Sequence, residues 1–257
     1  MLPSVTTRAP RSFGEHPSHW KLVIEIYINK EHTDSRKNMT SQRQISLTAG
    51  ILYVLTFVSI PTLSLYTAVK SANYILGAGP DSTVIIGAIL EVIVALAGIG
   101  TAVVLFPILK KQNEGFALGL VASRTLEAAT IFLGVAFLLS IVVLRQSGAG
   151  VESLAASHTL AILYDRIFLL GQSFMPAIND LLLGFLLYKS RLVPRFLSSI
   201  GMVGGIVLLI GYLAVMFGVI GQHSSLAGLS AVLVALFEFS LGIWLIVKGF
   251  NKKSSIL

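Results

Sequence analysis

Apolar residues run in long unbroken stretches along this chain, and polar groups collect at the joints between them. A helix needs about 20 mostly apolar residues to cross a bilayer. Six stretches meet that requirement: 46–69, 82–107, 116–144, 158–188, 197–220 and 226–247. A membrane β-barrel would alternate in segments of about ten residues, and these runs are continuous instead. The joints carry turn formers: "GAGPDS" at 77–82, "KKQNEG" at 110–115, "RQSGAGVES" at 145–153, "KSRLVPR" at 189–195 and "GQHSS" at 221–225. The pattern predicts an all-α fold, a polytopic transmembrane six-helix bundle with short loops, occupying residues 39–257.

Composition agrees. The chain is 54% apolar and 12% charged, against about 25% charged in soluble domains. A soluble chain this apolar could not cover its own surface. With no cysteine, disulfides, thiolate metal sites and cysteine nucleophiles are excluded. The net charge of +7 does not point to nucleic acid, because the basic residues follow the topology. Of 19 Lys and Arg, 11 lie near one end of the predicted bundle (Arg36, Lys37, Arg43, Lys110, Lys111, Lys189, Arg191, Arg195, Lys248, Lys252, Lys253) and 2 near the other, Lys70 and Arg145. Cytoplasmic loops carry such an excess. The expected placement is therefore the cell (cytoplasmic) membrane, with both termini inside and the basic loops against the anionic inner leaflet at about 1 kcal/mol per basic residue.

Residues 1–38 differ from the rest. "MLPSVTTRAPRSFGEHPSHW" has no apolar signal-peptide core, and "WKLVIEIYINK" alternates like a strand without a partner. The expectation is a poorly ordered tail or an extension from a misplaced start codon, with Met39 opening the ordinary start.

The fourth span is unusually polar. His158, Asp165, Gln172 and Asn179 are seven apart, as are Thr159, Arg166, Ser173 and Asp180. On a regular helix these two rows make one polar face about 100° wide. Pro176 removes the hydrogen bond to carbonyl 172 on or near that face. Elsewhere the acids share stripes with small residues: Glu91 with Gly87, Ala95 and Gly98; Glu127 with Ser123, Thr130 and Gly134; Glu238 with Ala231, Ala235 and Gly242. Small faces are where membrane helices approach each other, so these acids are expected to point inward, near mid-bilayer. Arg124 lies one turn from Glu127. In the fifth span, Gly201 and Gly205 form a GxxxG, and Gly204, Gly211 and Gly218 repeat every seven. This is a helix-packing surface, used either inside the bundle or in a homo-oligomer.

Five interior acids (Glu91, Glu127, Asp165, Asp180, Glu238) against two interior bases (Arg124, Arg166) leave an excess of three negative charges. An unpaired charge at the bilayer centre costs roughly 3 kcal/mol on insertion scales. Three functional classes follow. The polar groups are structural glue; or they form a path for a proton, cation or small polar solute; or the protein is an accessory subunit acting through a protein partner. In the transport reading Glu127 and Glu91 carry the proton, Arg124 is the counter-charge, and Asp165 and Asp180 are the access points from the two sides. An enzyme is not expected. There is no HExxH, "GQSFM" lacks the second glycine of GxSxG, and His158 and His223 are not at metal-ligand spacing. "LGAGP" follows no strand and reads as a turn. No cofactor or metal is expected.

Four stretches, "NYILGAGPDSTVIIGAILEV", "IGTAVVLFPILKKQNEGFALGLVASRTLEA", "LLLGFLLYKSRLVPRFLSSIGMVGG" and "FEFSLGIWLIVKGF", resemble the bacterial membrane proteins grouped as domain of unknown function 4386. The resemblance runs from about Gln44 to Phe250. It implies a polytopic bacterial membrane protein and supplies no activity, substrate or catalytic residue. The family pattern includes Glu91, Arg124, Glu127 and the turn Leu192–Arg195, whereas "FLLGQSFMPAIND" is more polar than is usual there, which sets Gln172 and Asp180 apart.

Overall fold

The computed structural model describes residues 40–71, 73–77, 80–148 and 150–257; the expectation about residues 1–38 lies outside them. Gln42–Leu257 form one compact unit. Among the described residues six helices are long and apolar enough to cross a membrane: Thr40–Leu65, Asp81–Leu109, Glu114–Gln146, Gly150–Ser190, Arg195–Met216 and Ser225–Val247. They are called the first to sixth spans. The protein is a multi-pass, all-helical membrane bundle, as the apolar runs predict.

Local chemistry sets the ends. Asn113 caps the third span by accepting from the Phe116 amide at 3.0 Å, and Ser224 caps the sixth by accepting from Ala227 at 3.3 Å. Pro80 and Pro194 stand immediately before the second and fifth spans, where a missing N–H costs nothing. The fifth span ends at Met216, and Gly218 turns the chain with φ +70°. Gly218 therefore sits outside the helix and packs against nothing within 4 Å; the heptad spacing that placed it on the packing surface stops one turn too late.

The other fifth-span glycines are packing contacts inside the bundle. A Cβ on Gly201 would stand 2.6 Å from Phe237, on Gly204 3.0 Å from Leu233 and Val234 backbone, and on Gly211 2.4 Å from Ser230, all on the sixth span. On Gly205 it would stand 2.8 Å from the Ala177 carbonyl of the fourth. Sequence neighbours pack on one another along the chain. The sixth span closes on the first, where Gly50 meets the Gly242 carbonyl and Ile246.

Two spans are irregular. The first changes from α-helix to a 3-10 turn at Thr56–Ser59, then to a short α-helix at Thr62–Leu65 after Pro61. The fourth starts at Gly150 rather than near 158. It runs as α-helix over Leu154–Phe168, widens to a π turn at Leu169–Phe174, and resumes as α-helix at Met175–Ser190. Pro176 follows directly and lacks the N–H that a regular helix would return to carbonyl 172. Gly171 in the π turn presses on the third span, where a Cβ would fall 1.9 Å from Thr130 Oγ1.

The largest core fills the end of the bundle that carries most basic residues. It includes Tyr53, Leu105, Leu109, Leu120, Leu186 and Leu241. Leu192 and Val193 of the fourth-to-fifth loop are buried in it. The C-terminal residues close over that loop: the Asn251 amide donates to the Leu192 carbonyl at 2.8 Å and the Ser254 hydroxyl to the Ser190 carbonyl at 2.7 Å. Arg43 donates to the Leu245 carbonyl at 3.0 Å, tying the first span to the sixth at the same end.

These contacts separate two kinds of glycine. Gly205→Ala forces a Cβ against backbone and is expected to lower stability by about 1–3 kcal/mol. Gly228→Ala, inside the sixth span with open space around it, is expected to raise it by about 0.5–1 kcal/mol. Thermal unfolding of both variants in one detergent checks the sign of each.

Candidate functional site: a charged cluster at the floor of a cavity

The polar centre is built around Arg124 of the third span, which is buried. Its Nη1 donates to Glu127 Oε2 at 3.0 Å, one turn along the same helix. Its Nη2 donates to Glu238 Oε1 of the sixth span. Asn179 of the fourth span donates from Nδ2 to Glu127 Oε2 at 2.7 Å, and its own oxygen accepts from the Ser123 hydroxyl. The Arg124 guanidinium lies 5.7 Å from the Tyr53 ring of the first span. Gly98 of the second span lies beside it, where a Cβ would stand 4.0 Å from Arg124 Cδ in ordinary van der Waals contact. Glu127 stands about 20 Å from Glu114 and Glu238 about 20 Å from Ser225, at 1.5 Å per residue. The cluster is therefore near mid-membrane.

Asp180 is fully buried, and neither of its carboxyl oxygens has a hydrogen-bond partner. Its electrostatic neighbours are Glu238, Arg124 and Glu127. Three carboxyl groups thus surround one guanidinium. If all are ionised, two negative charges stay uncompensated, and protons or a cation must offset them. Among the described residues no set of three or more acids and histidines is placed to hold a metal ion.

Glu91 does not join this cluster. It is buried on the second span and accepts from the Tyr164 hydroxyl at 3.0 Å, with Oε2 unpartnered. Tyr66 packs edge-on against Tyr164 at 5.6 Å between ring centres.

Asp165 and Arg166 are not an interior pair. Asp165 is half-buried and bridges to Lys70 Nζ at 2.6 Å, with His223 Nε2 3.6 Å away. Arg166 is exposed and donates to Gln222 Oε1 at 2.6 Å, while Gln222 Nε2 donates to the Asp165 carbonyl at 2.7 Å. Both residues bind the fifth-to-sixth loop at the end of the bundle away from the basic loops, called here the far end. The π turn explains the difference. It places an extra residue in one turn, so rows seven apart do not run straight through it. Asn179 and Asp180 reach the centre, Gln172 and Ser173 are half-buried, and Asp165 and Arg166 are left at the rim.

A cavity of about 230 Å³ opens above the cluster. Every span contributes to its wall: Ser59, Gly98, Glu127, Gln172, Leu208 and Glu238 lie on the first to sixth in turn. The first-span wall is its 3-10 break, which sequence reading overlooked; Pro61 in "SIPTLS" was the available signal. A second cavity, of about 450 Å³, shares Gln172, Leu208 and Ala231 with the first and continues to Gln222, His223 and Ser224. The two cavities thus share a wall on the fourth, fifth and sixth spans, and the second one reaches the far end. Toward the basic end lies the large apolar core.

These features define a membrane-spanning helical bundle with an ion-paired floor beneath a half-open cavity. Residues 48–249 match the family described as Domain of unknown function (DUF4386), and the chain belongs to that family. No curated protein and no solved structure matches it.

The ion pairs give a stability prediction. Arg124→Gln leaves Glu127 and Glu238 without their shared partner, and breaking a buried pair from one side costs about 3–5 kcal/mol. The triple change Arg124→Gln, Glu127→Gln, Glu238→Gln removes the charges together and is expected to recover most of that loss. Unfolding midpoints of the two variants against the parent provide the check.

Proposed function

We propose that this protein moves a small polar solute or proton across a bacterial cytoplasmic membrane, and that the structure corresponds to a form open to the outside. The observation that carries the reading is the cavity over the Arg124–Glu127–Glu238 floor, which shares Gln172, Leu208 and Ala231 with a second cavity that reaches the far end. The opposite path is filled by Leu105, Leu120, Leu186 and Leu241. Buried ionisable groups in a membrane mark solute or proton pathways when they meet a polar cavity. The excess of Lys and Arg at the basic end supports placing that end, with both termini, in the cytoplasm. In this reading Glu127 and Glu238 bind the solute or proton, Arg124 holds them in place, and Asp180 is the acid on the closed side. Glu91 with Tyr164 is a separate polar station between the second and fourth spans. The chain translocates its solute and does not transform it.

The absence of cysteine makes the test direct. Single cysteines at Ala231 and Ser173, which line the two cavities, are treated with a membrane-impermeant thiol reagent from either side. Ser147→Cys is the exposed far-end control and Leu138→Cys the buried one. Labelling of Ala231→Cys and Ser173→Cys from the Ser147 side alone is the expected result. A dry cavity, with Ser147→Cys reacting normally, would reject transport. It would favour an interior that only holds the bundle together, or an accessory subunit acting through a protein partner.

A further inference from the structure

The two carboxylates at the cavity floor are only half engaged. Glu127 spends Oε2 on both Arg124 and Asn179, and Glu238 spends Oε1 on Arg124. Glu127 Oε1 receives no hydrogen bond from any described side chain or backbone amide, while Glu238 also lies within hydrogen-bonding reach of the Asp180 carboxyl. Nor are they sealed off. The side chains retain 11% and 12% exposure, both line the cavity, and neither Glu127 Oε1 nor Glu238 Oε2 is among the fully buried unpartnered atoms. Around them the wall carries Thr56, Ser59 and Gln172 and is otherwise apolar, with Val94, Ile131, Leu208 and Val234 on four different spans and the Phe57 ring on a fifth.

From this arrangement we infer that the cavity is a binding site for a small organic ammonium ion with at least one N–H and a compact apolar substituent. The inference rests on the transport reading and names its substrate class. Charge sets the sign: with Glu127, Glu238 and Arg124 ionised and Asp180 protonated the cluster carries one net negative charge, which a monocation neutralises. Hydrogen bonding sets the head group. The floor presents carboxylate acceptors, and an ammonium brings its own N–H groups, each bond being charge-assisted. A bare metal cation would need several further oxygens at fixed distances, and among the described residues no set of three or more acids and histidines is placed to hold one. An anion would meet two carboxylates, since both Nη groups of Arg124 are already engaged. The wall sets the tail: it rewards burial of apolar surface, and an aromatic ring within about 6 Å favours a cation. The volume of about 230 Å³ is below the usual range of drug-sized pockets, so the solute is small.

Benzylamine at neutral pH, where it is cationic, is the probe. Benzyltrimethylammonium keeps the charge and removes the N–H; benzyl alcohol keeps a donor and removes the charge. Binding to the detergent-solubilised full chain is followed by titration calorimetry. Benzylamine is expected to bind at least tenfold more tightly than either comparator, and Glu127→Gln to weaken it at least tenfold. The comparison among three probes on the unaltered chain does not depend on any variant folding. Equal affinity for all three, or no binding of benzylamine, overturns the ammonium assignment. The cysteine labelling separates the two failures. A wet cavity that ignores benzylamine leaves transport standing with another substrate, whereas a dry cavity removes both readings.

Discussion

A guanidinium in the middle of a membrane must be matched by carboxylates, and the arrangement of the bundle follows from satisfying Arg124. A lone arginine at that depth costs roughly 2.5–3.5 kcal/mol on insertion scales and more in simulation. One carboxylate comes from its own helix, because Glu127 is a single turn away. The second comes from the sixth span, which must therefore lie across from the third at that level. Small residues allow the approach: Gly98 beside Arg124, and Gly201 and Gly204 where the fifth span supports the sixth at Phe237 and Leu233. Asn179 then fixes Glu127 from the fourth span. Third, fourth and sixth spans are thus set in register by one hydrogen-bonded group, with the first span's Tyr53 ring near it.

The bundle is asymmetric about that centre, and side-chain size is the reason. On the basic side the interior positions are leucines, isoleucines and aromatics that interdigitate into one core, capped by Leu192, Val193 and the C-terminal residues. On the far side the positions around the centre include Ala95, Gly98, Ala128, Ala231 and Ala235. The first span leaves regular helix there, and the fourth widens. Small residues and broken helices leave space, and non-helical backbone at membrane depth is tolerated where it lines a cavity. The same small residues that let the helices meet at Arg124 therefore leave the cavity above it, while Tyr66, Val84, Leu138, Ile141 and Tyr164 pack a second core beside it in the far half.

Much of this was legible in the chain. Six continuous apolar runs and the turn-forming joints specify the helices. Acids sharing stripes with Gly and Ala specify that Glu91, Glu127 and Glu238 face inward, where the structure places all three. What the sequence could not convey was which acids meet, because periodicity is a property of one helix and pairing is a property of two. Glu238 reaches Arg124 and Glu91 does not, although both carry the same signature. The fourth span misled for a definite reason: a heptad argument assumes a constant number of residues per turn, and Leu169–Phe174 departs from it. Asp165 and Arg166 then land at the rim, where Lys70 and Gln222 meet them. Pro176 marked the vicinity of the irregularity but not its kind. Gly218 shows the same limit at a helix end, where its spacing matched a packing row and its backbone made a turn.

Counting donors at the centre shows that this cluster is not fully satisfied. A guanidinium has five N–H groups. Arg124 directs Nη1 and Nη2 at two acids, and its Nε remains unpartnered in the interior. Asp180, fully buried among the same groups, has no donor on either oxygen. Buried polar groups are normally satisfied, and an unsatisfied one costs about 1–3 kcal/mol. The present arrangement leaves three of the five N–H groups of Arg124 and several acceptors unused at once, so other pairings of these side chains are available. A bond from Arg124 to Asp180 would relieve the deepest orphan on the closed side. Glu127 and Glu238 hold Arg124 from the cavity side, so under the proposed function a cation or proton bound there would compete for the same two carboxylates. Occupancy of the cavity and the partner choice of Arg124 would then be linked through that competition.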